Sequence, residues 1–237
     1  MKTQVTAFQN KLNDFVVDKQ RLCYMTRAIE LQDAAVHDIE PYLDEAARIK
    51  REAIALEDEN ASNAMLAFEE ILKTLEGELR MWIALKQDEP IKAWNYLIDA
   101  QNAANHAVRA HRVAEHMARY EKRLEMLEHV LFPPQVFNSP GMVIRNARCS
   151  LCGAEYGECL HVKGLPYMGE FCARIIEDCQ FNEVSIVDDP ADKRCIIASF
   201  SSDGTHWIDR MTLREIDRTK QANSVKDYDG KETERQG

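Results

Sequence analysis

Through the first 131 residues, apolar side chains recur at three- and four-residue steps. Beyond that point the period is lost. Within the periodic part, Met65, Phe68, Ile71, Leu72, Leu75, Leu79, Trp82 and Ile83 fall on one helical face. Val113, Met117, Tyr120, Leu124, Leu127 and Leu131 repeat as a heptad seam, the pattern of antiparallel bundle or coiled-coil packing. Between residues 3 and 131 the only glycine is Gly77 and the only prolines are Pro41 and Pro90. Each proline follows an acidic residue and precedes an apolar-periodic stretch, as a first-turn proline does. The pattern predicts helices over 4–39, 42–58, 62–87 and 90–131. The break near Glu59–Ser62 carries neither proline nor glycine, so the two middle helices are equally compatible with one. No such stripe is buried by its own helix, and a bundle over 1–131, open to self-association, is expected.

Phe132-Pro133-Pro134 stops the helical pattern, and Asn138-Ser139-Pro140-Gly141 is turn material, giving a linker over 132–141. Short β-like runs follow at Met142–Arg145, Glu183–Asp188 and Cys195–Phe200. Cys172, Ile175, Ile176 and Cys179 suggest a short amphipathic helix between them, and a second short helix is expected over Thr212–Arg218. Residues 142–218 thus read as a small α/β domain. From Thr219 to the end the chain is polar and reads as a disordered tail. The fold class is α+β, with an N-terminal helical bundle followed by a small α/β domain.

Composition changes the picture mainly by exclusion. Hydrophobic residues make up 45% and charged residues 30% of 237, so neither a disordered chain nor a membrane protein is indicated. The net charge of −10 is spread over both halves and disfavours nonspecific binding to nucleic acid or anionic lipid. The first residues are polar, without the apolar run of a signal peptide, and a cytoplasmic location is expected.

Six of the seven cysteines lie between Cys149 and Cys195. In a reducing compartment such crowding points to metal or burial before disulfides. The sharpest segment is Cys149-Ser-Leu-Cys152-Gly-Ala-Glu-Tyr-Gly-Glu-Cys159-Leu-His161. Two cysteines separated by two residues can aim both sulfurs at one ion from a tight turn, and Gly153 supplies the backbone freedom of such a knuckle. Cys159 and His161 then close a tetrahedral zinc set. Cys172 is the other candidate for the fourth position, although its neighbours also suit a core cysteine. A redox Cys-x-x-Cys normally opens a helix, whereas Gly153 and Gly157 flank a turn here. Three cysteines and a histidine leave no position for water, so a structural zinc is expected.

The segment Glu183-Val-Ser-Ile-Val-Asp-Asp-Pro190-Ala191 resembles the Glu-Val-Ser-x-Val-x-x-Pro-Ala stretch of phage prohead (head-maturation) proteases. The resemblance covers about a dozen residues and implies a phage-linked β module. In that family the segment belongs to a β-rich serine protease core, and Glu183 would take the position that orients the catalytic histidine. The one histidine between the bundle and Glu183 is His161, which the metal reading also uses.

Asn105, Arg109, Arg112, His116, Arg119 and Arg123 alternate at four- and three-residue steps. On the long fourth helix they lie on one face and form a basic ridge distinct from the apolar seam. A ridge of this kind pairs with acidic neighbours such as Glu69 and Glu70, or contacts a partner. Arg109 and His116 also resemble the Arg-x4–6-His motif of the HEPN ribonucleases. That resemblance implies His116 as acid/base and Arg109 as phosphate stabiliser.

Among other residues, His106 sits among alanines and suits a hydrogen-bonded bundle histidine. Trp82 and Trp94 are expected to close the bundle core near the Gln87–Pro90 turn, and His206-Trp207 to join a small satellite core. Together these features predict a noncatalytic zinc-containing interaction or assembly protein. It is expected to be homo-oligomeric through its bundle, with a possible protein partner, no membrane association and nucleic acid not favoured. The alternatives are a HEPN-like ribonuclease using Arg109 and His116, or a degenerate prohead-protease-like module.

Overall fold

A computed structural model describes residues 1–201 and 203–216. Five α-helices come first: α1 (Lys2–Gln20), α2 (Ile29–Ala55), α3 (Glu59–Lys86), α4 (Pro90–Ala110) and α5 (Met117–Leu131). Among the described residues seven strands follow: β1 (Phe137–Cys149), β2 (Pro166–Tyr167), β3 (Glu170–Phe171), β4 (Arg174–Val187), β5 (Ser199–Phe200), β6 (Trp207–Asp209) and β7 (Glu215–Ile216). The chain is α+β, a helical bundle followed by a small β region.

The bundle is built around α3, whose predicted apolar face is buried: Met65, Leu72 and Leu79 are fully enclosed. Asp58 caps its start by accepting from the Ala61 N–H at 3.0 Å. Pro90 stands in the first turn of α4, as its sequence position predicts. Alanines at 93, 100, 104 and 107 of α4 are buried and let that helix lie close to α3.

The predicted breaks need correction at three places. Helix α2 runs through Pro41, so the chain does not break at residues 39–42. The break lies instead at residues 21–28, where long-range side chains satisfy the turn. The buried Gln32 amide donates to Leu22 O at 2.7 Å and to Tyr24 O at 3.1 Å, and Lys86 reaches Arg27 O at 2.5 Å. Third, the helix expected over 90–131 is interrupted after Ala110. His111 is extended there, and its Nδ1 accepts from the Val113 N–H at 3.1 Å before a 3-10 turn at Arg112–Ala114.

The β region departs further from expectation. The linker is shorter, because β1 begins at Phe137 and continues through Pro140 and Gly141. Cys172, Ile175, Ile176 and Cys179 do not form a helix. Cys172 precedes β4, and the other three lie on it, paired antiparallel with β1. The run at Cys195–Phe200 is strand only at Ser199–Phe200. Residues 212–216 form a turn and the short strand β7 in place of a helix, while residues 217–218 and the tail expected over 219–237 lie outside the described residues.

Strands β1 and β4 form a long two-stranded ribbon with three register shifts. Cross-strand partners share a face, so Pro140–Val184, Met142–Phe181, Ile144–Cys179 and Ala147–Ile176 line one side. The other side carries the exposed Val143 and Ile175 but is otherwise polar and cross-linked: Arg145 donates to Gln180 at 2.6 Å, Asn146 to Glu177 at 3.0 Å, and Arg148 pairs with Glu177 at 2.7 Å. At one end Phe137 is buried against Trp94, whose ring also meets Phe132 edge-on. The Trp94 Nε1–H donates to Lys193 O at 2.8 Å, so this tryptophan joins the bundle to the β region. Trp82 is buried in the bundle.

Candidate metal centre

The far end of the ribbon carries the cysteine cluster. Cys149 is the last residue of β1, and the chain turns back at once, with the Gly153 N–H donating to Cys149 O at 3.0 Å and the Cys149 N–H to Ala154 O at 2.9 Å. Gly153 takes φ +71°, the left-handed conformation expected of it. A second turn, in which the Glu158 N–H donates to Glu155 O at 3.0 Å, brings Cys159 and His161 back over the first. The donor atoms of Cys149, Cys152, Cys159 and His161 all lie within 4.8 Å of one another. Residues drawn from thirteen consecutive positions thus meet at one point, and three thiols and an imidazole are a donor set that holds a metal such as zinc.

The electrostatics suit a cation. The Cys149 thiol is pulled down to about 6: burial opposes this, but the backbone N–H groups of Cys152 and Leu151 and the thiols of Cys152 and Cys172 outweigh it. Such a thiol is largely thiolate at neutral pH. The backbone N–H of His161 pulls the Cys159 thiol down, but burial and the neighbouring Cys152 and Cys149 sulfurs outweigh it and hold the group above its usual range. A bound cation would remove that penalty by neutralising the shared charge.

The centre is docked on the bundle by three contacts. The Gly169 N–H donates to Asn63 Oδ1 at 2.7 Å, the Phe171 ring lies 5.0 Å from the His106 ring, and Arg109 donates to Gly164 O. His106 pairs with the buried Glu70 of the bundle at 3.6 Å, as expected of a bundle histidine, and its contact with Phe171 also makes it a joint to the β region. Cys23, the one cysteine of the bundle, is fully enclosed, and burial beside Glu78 pushes its thiol up.

The six residues of the predicted basic ridge do not share a helix face, because the chain leaves helical conformation between Ala110 and Met117. Asn105 donates to Glu121 at 3.1 Å, and Arg109 is engaged with Gly164. Arg112 lines a cavity of about 680 Å³ with Lys2, Asn60 and His111. His116 is exposed immediately before α5, and Arg119 is exposed on its first turn. Arg123 turns inward and pairs with Glu78. Glu183 stands on the polar side of the ribbon opposite Gly141, its carboxylate accepting from the Ser185 hydroxyl at 3.4 Å. His206 pairs with Asp203 at 2.6 Å beside Trp207.

Sequence reasoning missed β2, β3 and the docking role of Gly169. The sequence signal was Gly169 alone, since Met168 gives no hint of the positive φ that both residues adopt in this two-residue hairpin turn. Comparison with known proteins finds no matching family model, no matching curated protein and no matching solved structure. Among the described residues, no helix is long and apolar enough to cross a membrane.

Proposed function

We propose that the protein is a noncatalytic assembly protein whose β region is held by a structural zinc ion and presents the ribbon to a second copy of the chain. The observation that carries this reading is the apolar side of β1 and β4. Phe181 and Val184 are each 58% exposed, and Met142, Ile176 and Ile186 are exposed beside them. A two-stranded ribbon is marginal alone in water, and a contiguous apolar face rimmed by polar residues marks an interaction site. A two-fold dimer uses the same patch on both copies, so each copy would offer the other these residues.

The metal supports the same reading from the folding side. Beyond Phe137, the buried hydrophobic residues among those described are Ala147, Cys149, Cys172 and Met211. So small a core needs a staple, and a closed Cys3His set supplies one. Zinc then fixes the end of the ribbon and thereby the face it offers.

Sedimentation of the full chain tests the proposal. The wild-type protein should be a dimer at micromolar concentration. Phe181→Asp combined with Val184→Asp should give a monomer with unchanged zinc content and unchanged helix content. A wild-type monomer at tens of micromolar, or a double variant that stays dimeric, overturns it.

A further inference from the structure

A fifth donor lies at the metal centre. Cys172 follows Cys149 by 23 residues, is 2% exposed, and places its Sγ 3.8 Å from the Cys149 Sγ. With zinc–sulfur bonds of about 2.3 Å, two sulfurs on a tetrahedral ion stand about 3.8 Å apart, and a sulfur and an imidazole nitrogen about 3.5 Å. His161 Nδ1 is 3.6 Å from the same Cys149 Sγ. Both residues therefore sit at the length of a tetrahedron's edge from Cys149, and a structural zinc takes only four ligands.

The segments that carry both candidates are held by hydrogen bonds. The backbone of Cys172 is fixed on both sides: its N–H donates to Leu165 O at 3.0 Å, and its carbonyl accepts from the Gly164 N–H at 2.7 Å. Next to it, Ala173 exchanges two hydrogen bonds with Ser150 inside the Cys149–Cys152 turn, at 2.8 and 3.0 Å. His161 lies on the loop after Cys159 and leans edge-on against the Tyr167 ring, 4.8 Å away. The residues after His161 are pinned as well, the Val162 N–H donating to the Tyr167 hydroxyl at 3.0 Å and the Lys163 N–H to the Tyr156 hydroxyl at 3.1 Å, so both donors stand preformed at the site.

We infer that Cys172 is an alternate fourth ligand, so that one ion is held either by Cys149, Cys152, Cys159 and His161 or by the four cysteines. This rests on the reading of the cluster as a zinc site. In the exchange, the His161 nitrogen leaves the ion as the Cys172 sulfur joins it and gives up its proton to solvent. Zinc neither gains nor loses electrons. The ion is then retained when the His161 imidazole leaves it.

Cobalt substitution of the full-length protein tests the exchange, because thiolate-to-cobalt absorption reports the number of bound sulfurs. His161→Ala should bind one cobalt per chain. Its charge-transfer absorption should exceed that of the His161→Ala, Cys172→Ser double variant by about a third, in proportion to four thiolates against three. Equal absorption in the two overturns the proposal. Should His161→Ala fail to fold, X-ray absorption of the zinc-loaded wild type serves instead. It should count more than three sulfurs, falling to three in Cys172→Ser, and three in both would overturn the inference. Failure of the wild type to take up cobalt or zinc would refute the metal site itself, a separate result.

Discussion

The guanidinium of Arg123 closes on the carboxylate of Glu78 with two parallel hydrogen bonds of 2.6 and 2.7 Å, linking α5 to the centre of α3. Glu78 is fully buried, and it also accepts from Tyr120 and, at 3.3 Å, from the Trp82 indole. A buried carboxylate survives only when its lone pairs are filled, and here arginine, tyrosine and tryptophan fill them. What the sequence offers as part of a basic ridge is an internal ion pair.

Arg123→Ala should therefore destabilise the bundle by about 3 kcal/mol, the lower end of the range for an orphaned buried charge, because the guanidinium itself stays partly in water. Pairing the change with Glu78→Gln should recover part of that loss. Urea unfolding followed by far-ultraviolet circular dichroism reads both, and a loss below about 1 kcal/mol in the single variant contradicts the account.

Chelation should act on one part of the chain. Removal of the ion, or Cys152→Ser, should expose the amides of β1 and β4 to hydrogen exchange while α3 and α4 keep their protection. Uniform protection before and after chelation would show that the ion is no staple.

Acid should weaken the bundle through Glu70. Burial alone would raise this carboxyl, but hydrogen bonding from His106 and Lys73 outweighs it and holds the group below the usual range. A lowered folded value means that its stabilising contribution is complete above about pH 4.3 and is lost as the pH falls through that lower folded value. Glu70→Gln should accordingly lose less stability than the wild type between pH 5.5 and 3. Identical acid sensitivity in the two proteins would rule this group out as a source.

Gly169 should resist substitution. It has φ +81°, and a Cβ there would stand 3.0 Å from Lys50 Cδ and 3.3 Å from Ser62 Cβ. Gly169→Ala should cost about 1–2 kcal/mol from the left-handed backbone alone. The loss should fall on the docking of the metal centre, read as faster proteolysis between Gly157 and Phe171 with the helices intact.

How much of this was legible in the sequence depends on distance along the chain. The apolar face of α3 and the Cys149–His161 cluster are each encoded within a few turns of chain, and both stand as expected. The turn at residues 21–28 is built by Gln32 and Lys86, which no local pattern announces. The Ile176 and Cys179 part of the misread helix has a sharper cause. Register shifts place Ile144 with Cys179 and Ala147 with Ile176, so the residues of one ribbon face come three apart on both strands. A β-bulge turns a step of two into a step of three and so imitates a helix. The basic ridge failed for the converse reason: its spacing assumes one helix, and the chain breaks inside it.

The ribbon is tied down twice, by Phe137 on Trp94 and by Gly169 and Gly164, beside the cysteine cluster, on Asn63 and Arg109. Untying the second knot would leave a lever of thirteen residues, on the order of 40 Å long, pivoting on the first. Such an arm sweeps a larger volume and meets another molecule sooner. Yet it surrenders more freedom on capture, so its grip would be weaker for the same contacts. Metal occupancy would thus set how far the chain can reach against how firmly it holds.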